Sequence, residues 1–342
     1  MRARQIFYLL LREVGIGLAL VIMVLAFSAL APRFASMANF TNILTQISIN
    51  TVIAVGMTFV ILLGGIDLSV GSVLALATIV GGMVITHEEL SPGVAILLSV
   101  LASVLVGCLC GLANGLVCER WKIHSFIVTL GMLNVARGAA LQISGSRTIF
   151  SFPDSFNEVG SAVVAGVPVI FLMALGVVLV GRFVLARTIF GRMIYAIGNN
   201  EEAVRLSGHD PATYKAAAFT VCGGMVGLAA IMYMMRLNIA SPILGVGFEL
   251  NAIAAVVIGG TSMSGGKGSM VGTFLGASIM GVLNNGLLLL GMGDFARQMV
   301  TGLIIVVAVI IDKYRGRALA RAALEPAPSP ARAAEPGAGE RA

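Results

Sequence analysis

Charge is what this chain has least of. Only 11% of its 342 residues are Asp, Glu, Lys or Arg, while 58% are hydrophobic. A soluble domain carries about a quarter charged residues, so this composition excludes one. Aromatics are scarce as well, at 6% with a single Trp. The net charge of +6 therefore has no interleaved aromatics beside it, and a nucleic-acid surface is not expected. The four cysteines, Cys108, Cys110, Cys118 and Cys222, form no CxxC pair and lie in or beside apolar runs, where they read as small buried hydrophobes. His87, His124 and His209 are scattered, so no metal site is expected, and no cofactor. The apolar runs also lack a Ser/His pair, an HExxH or paired aspartates, which argues against an intramembrane enzyme.

What is present is long apolar sequence. Ten spans are predicted, at approximately 14–31, 45–63, 69–85, 93–118, 125–143, 167–186, 212–235, 250–261, 269–290 and 295–311. A helix needs about 20 apolar residues to cross a bilayer, and several of these reach that length. The first run follows Arg2, Arg4 and Arg12 and ends Ala29-Leu30-Ala31, imitating a signal peptide. It is longer than the usual apolar core of about 7 to 15 residues and is read as an uncleaved first span. The eighth span is short because Gly259, Gly260, Gly265, Gly266 and Gly268 crowd its end, as in the broken helices of transporters. Residues 318–342, rich in Ala, Pro, Arg, Glu and Gly, are expected to form a disordered cytoplasmic tail after a membrane domain spanning 1–317.

Orientation comes from the basic residues. With the segment from Arg187 to Lys215 placed in the cytoplasm, 17 of the 22 Lys and Arg fall on that side. Arg33, Arg137, Arg147, Arg236 and Arg297 fall on the other, a positive-inside pattern that puts both termini in the cytoplasm of a bacterial inner membrane. Carboxylates are absent from the depths of the spans: Asp67, Asp294 and Asp312 lie near span ends and Glu249 begins span eight. That argues against an ion-coupled secondary transporter, which usually needs such groups deep in the membrane.

An internal repeat is faint. Ala77 to Gly82 in span three matches Ala255 to Gly260 in span eight, and Gly111 to Gly115 in span four matches Gly281 to Asn285 in span nine. Spans five apart run in opposite directions, so a five-plus-five inverted repeat is expected. Gly107, Gly111 and Gly115, and separately Gly272 and Gly276, have the spacing that permits close helix approach.

The longest polar island between spans runs from Gly191 to Gly208. Asn199 or Asn200 can cap a short helix there, with Glu201 and Glu202 in its first turn and Gly208 at its end. Ala203, Arg205, Leu206 and Ser207 complete a charged two-turn element suited to docking. Asp67 and Ser69, at the turn before span three, are expected to cap that span. Asn50, Asn134, Asn251, Asn284 and Asn285 are uncharged polar residues in or near spans. They suit a wetted path for hydroxyl-rich solutes, and equally suit hydrogen bonds between helices. The run Ser262 to Gly268 is not a phosphate loop, because Thr261 and Gly268 stand where Gly and Ser/Thr are required.

Three blocks, Gly56 to Ser72, Gly191 to Gly208 and Ala252 to Gly268, with Leu283 to Leu287, resemble the permease subunits of ribose-type ATP-binding-cassette (ABC) importers. The resemblance covers nearly the whole chain before the tail. It implies an all-α polytopic protein of the type II importer plan, working as a homodimer and translocating a monosaccharide by alternating access. It also implies a separate tandem-cassette ATPase, docked on the island as a coupling helix, and an extracytoplasmic sugar-binding protein. The chain itself would be no enzyme. Related permeases for branched-chain amino acids, nucleosides or other small polar solutes share the plan. His209-Asp210-Pro211, where the family usually continues with an apolar residue, is a small departure beyond the helix end.

Overall fold

The computed structural model describes residues 3–324, with side chains described from 13 to 310. Thirteen helices account for most of these residues, in the order α1 (Ala3–Leu30), α2 (Met37–Leu62), α3 (Val70–Ile85), α4 (Pro92–Trp121), α5 (Ser125–Ser144), α6 (Asp154–Ser161), α7 (Val169–Arg187), α8 (Ile189–Asn199), α9 (Glu201–Leu206), α10 (Pro211–Leu237), α11 (Phe248–Ile258), α12 (Met270–Leu289) and α13 (Asp294–Leu324). Two antiparallel strand pairs sit in the connections. β1 (Ile149–Phe150) pairs with β4 (Ile239–Ala240), and β2 (Val163–Val164) with β3 (Val167–Pro168).

Each expected span falls on a helix. Among the described residues seven, α1, α2, α4, α5, α7, α10 and α12, are long and apolar enough to cross a membrane. The shortness expected of the eighth span is shared by the third: α11 has 11 residues and α3 has 16. Helical backbone continues in α13 through Leu324, past the expected start of the tail, and residues 325–342 lie outside the described residues. So do the side chains of Arg2, Arg4, Arg12, Lys313, Arg315, Arg317 and Arg321.

Local sequence sets the helix starts. Ser36 Oγ accepts from Asn39 N–H at 3.2 Å, Thr188 Oγ1 from Gly191 N–H at 3.1 Å and Ser269 Oγ from Gly272 N–H at 2.9 Å. Asp210 caps α10 ahead of Pro211. These side chains satisfy donors that a helix start otherwise leaves unpaired.

Helices α2 and α10 form the centre, with 78% and 72% of their apolar windows buried, against 6% for α1 and 17% for α5. Helix α4 shows why lipid permits this. Its large side chains Leu97, Leu101, Leu105, Leu109 and Leu116 point outward, while Ser99, Ser103, Gly107, Gly111 and Gly115 face the protein. Gly107 lies on the Gly223 backbone of α10, Gly111 on Phe219 and Gly115 on Ala216, where no Cβ fits without displacement. The glycine pattern of span four thus makes a contact within one chain.

Two helix pairs pack in a similar way. Ser103 and Ser99 of α4 donate to the carbonyls of Ala77 and Gly81 of α3, at 3.0 and 2.8 Å. Gly276 and Gly272 of α12 lie against the carbonyls of Ala255 and Gly259 of α11. Both pairs keep a spacing of four residues on each helix.

Candidate functional site

The three sequence blocks meet at one end of the bundle. Helix α8 buries Ile194 and Ile197, Ile194 in a cluster with Leu62 of α2 and Leu185 of α7. Its C-terminal Gly198 abuts the Leu62 carbonyl and the Gly266 backbone, leaving no space for a side chain. Gly266 N–H donates to Leu62 O at 2.8 Å, Tyr195 Oη–H to Gly268 O at 2.9 Å, and Asn199 Nδ2 to Gly266 O at 3.3 Å. Gly265 and Gly266 adopt φ of +84° and +70°, a conformation that favours glycine. Gly260, at φ +81°, ends α11, and Gly259 packs on Gly272. The island is therefore latched to the glycine loop after α11 and to the end of α2.

Asn200, not Asn199, caps α9: its Oδ1 accepts from Ala203 N–H at 3.0 Å, while Asn199 ends α8 and binds the glycine loop. Ser207 Oγ–H donates to Val204 O at 2.7 Å and Gly208, at φ +86°, terminates the element. The charges divide into two sets. Glu201 points inward to Lys215 at 2.7 Å, and Lys215 also reaches Glu119 of α4 at 3.1 Å, which pairs with Lys122 at 3.0 Å. Arg205 joins the sets, 3.4 Å from Glu201 and 3.6 Å from Glu202, and Glu202 stands on the open face beside exposed Ala203 and Leu206, the latter 81% exposed. A cavity of about 470 Å³ borders this network, between Glu119, Lys122, Glu201 and Lys215.

Asp67 is buried at the same end. Its Oδ1 accepts from both the Ser69 N–H (2.9 Å) and the Ser69 hydroxyl (2.6 Å), and Asn114 of α4 donates to Ser69 Oγ at 3.0 Å. Ser69 precedes α3, yet its hydroxyl makes no bond to the α3 backbone. The pull of the neighbouring carboxylate outcompetes the capping geometry, so the expected Ser69 cap is corrected to an Asp67–Ser69–Asn114 cluster.

The five asparagines separate. Asn285 is buried in a reciprocal pair with Asn39 of α2, at 2.9 and 3.0 Å. Asn134 is exposed on α5 and donates to its own helix at Leu130 O. Asn50, Asn251 and Asn284 converge on one cavity of about 320 Å³ walled by α2, α10, α11 and α12. Gln46, Tyr233 and Arg236 line it too. The sequence offered Arg236 only as a charge for setting orientation, as it did Lys215. The two cavities lie at opposite ends of α2 and α10: one beside Leu63 and Lys215, the other beside Gln46 and Arg236.

Helices that turn large apolar side chains outward and small ones inward, around two cavities at opposite ends, make this a polytopic membrane permease. The chain matches, over residues 39–309, the family described as branched-chain amino acid transport system / permease component, and it belongs to that family. It is 42% identical over 304 residues to the ribose import permease protein RbsC of Haemophilus influenzae, covering 87% of this chain and 92% of the relative. It is 39% identical to the protein of that name in Bacillus subtilis (89% and 94%) and 37% identical to the D-allose transport system permease protein AlsC of Escherichia coli (87% and 91%). No solved structure matches the chain significantly.

Proposed function

We propose that this chain is the permease subunit of a binding-protein-dependent ABC importer for a monosaccharide, with the element from Asn199 to Gly208 as the surface that receives force from a separate ATPase. The single observation behind the coupling role is the latch. A capped helix whose outer face is Glu202, Arg205 and Leu206 is tied at its base to the ends of α2, α4, α10 and the loop after α11. A push on it is delivered to the central helices. The relatives' names support the sugar, and the positive-inside distribution supports cytoplasmic placement of the island and of both chain ends. Ten crossings, two copies of the chain, a tandem-cassette ATPase and an extracytoplasmic binding protein complete the reading. Residues 318–342 are its cytoplasmic tail.

Proteoliposomes holding the permease with its ATPase and binding protein test it. Uptake of radiolabelled D-ribose or D-allose that requires ATP and proceeds without an ion gradient is the expected result. Uptake of leucine instead would move the solute to the amino-acid branch, and uptake driven by a gradient alone would overturn the mechanism.

A further inference from the structure

Among the described residues, the side-chain amides of Asn50, Asn251 and Asn284 make no hydrogen bond to any protein group, and Asn50 Oδ1 is buried without a partner. Leaving such a group unmet is costly. Neighbouring Asn285 shows what a structural amide does here: it closes a reciprocal pair with Asn39. The three open amides instead face one cavity, whose 320 Å³ falls in the range of about 300–1,000 Å³ usual for small-molecule sites.

We propose that this cavity is a recognition site within the translocation path for an uncharged cyclic polyol, held by the amides of Asn50, Asn251 and Asn284 together with Arg236. The inference rests on the transport reading above and locates its solute. Each hydroxyl both donates and accepts, and each amide does the same, so the two match without counter-charge. No carboxylate lines the cavity, and Arg236 forms no ion pair among the described residues, so a cation is repelled. Phe248, whose ring lies 6.2 Å from that of Tyr233, gives the wall an apolar face for the C–H side of a ring. Asn251 stands on α11, a short apolar helix that ends in a glycine loop, the kind of interrupted segment where transporters place their binding sites.

The test compares uptake of D-ribose with 2-deoxy-D-ribose, which lacks one hydroxyl, in the complete reconstituted transporter. Asn50→Leu, Asn251→Leu and Asn284→Leu are expected to lower D-ribose uptake by about tenfold and to shift the ratio of the two sugars by about threefold or more, since a site built to bond a hydroxyl discriminates by it. Asn50→Ser and Asn284→Ser give the same ratio measurement if a leucine variant fails to insert. Asn285→Leu, a packing change, should lower both sugars in proportion. Uptake within about twofold of wild type, or losses equal for both sugars in the cavity variants, would overturn the proposal. A wild type that carries neither sugar would instead refute the transport reading, and this site with it.

Discussion

Lys215 Nζ lies 2.7 Å from Glu201 Oε2, tying the first residue of α9 to the first turns of α10. The same ammonium holds Glu119 at 3.1 Å, so one cation joins the island to two bundle helices. Lys215→Met should therefore leave the Asn200 cap intact while lowering ATP-driven uptake by about tenfold, equivalent to about 1.4 kcal/mol. The exchange Lys215→Glu with Glu201→Lys should recover part of the loss, and a double-mutant cycle should give a coupling on the order of 1 kcal/mol. Normal uptake by Lys215→Met would show that the link carries no force.

Leu206 is 81% exposed on a charged element and lies on the face that the proposed docking would cover. Truncating an uncovered surface residue changes stability by about 0.5 kcal/mol or less, whereas truncating an interface anchor costs about 2 kcal/mol or more. Leu206→Ala should leave the permease abundant while weakening its binding of the ATPase by about thirtyfold in a titration. Glu202→Ala and Arg205→Ala should weaken it as well. Unchanged affinity in all three would move the docking surface elsewhere.

Gly107 and Gly223 bring the backbones of α4 and α10 into contact, each lying on the other's carbonyl. A leucine at either position must force the helices apart, at a cost of about 1–3 kcal/mol or more for overpacking. Gly223→Leu should collapse the yield of monodisperse protein in detergent gel filtration. Gly176→Leu, on α7 with nothing near its Cβ direction, should not. Equal behaviour of the two variants would refute the contact.

The Asn39–Asn285 pair joins α2 to α12 by two amide bonds. Asn39→Leu strands the partner amide and should destabilise the protein by about 1–2 kcal/mol, read as a lower thermal-unfolding midpoint. The double variant Asn39→Leu with Asn285→Leu should be more stable than either single one, because no polar group is then left unpaired. A double variant worse than both singles would mean that shape, not hydrogen bonding, sets the cost.

Much of the bundle was legible because hydropathy and caps are local properties. Ser36, Thr188, Ser269 and Asp210 cap helices through their own neighbours, although the apolar pattern singled out none of them as caps and the second expected span begins eight residues late. The island's short helix followed in the same way from Asn200 and Gly208. Sequence could not choose between Asn199 and Asn200 as the cap, because either side chain can reach a helix start. The glycine loop decides it by holding Asn199. Nor could it tell that Glu201 faces inward, since its inner partner Lys215 lies on α10, whereas Glu202 meets only Arg205 of its own helix.

By itself, then, the sequence determined a membrane solvent, a helical bundle, a capped polar island and a set of uncharged polar residues within the spans. Tertiary structure alone decided which asparagine does what. In a soluble helix, polar and apolar faces would reveal the inward side. Lipid is as apolar as the protein interior, so α4 and α12 carry no such stripe, and the rotation of each helix is fixed by small-residue contacts with its neighbours. That rotation places Asn285 against Asn39 and turns Asn284, one residue earlier, into the cavity.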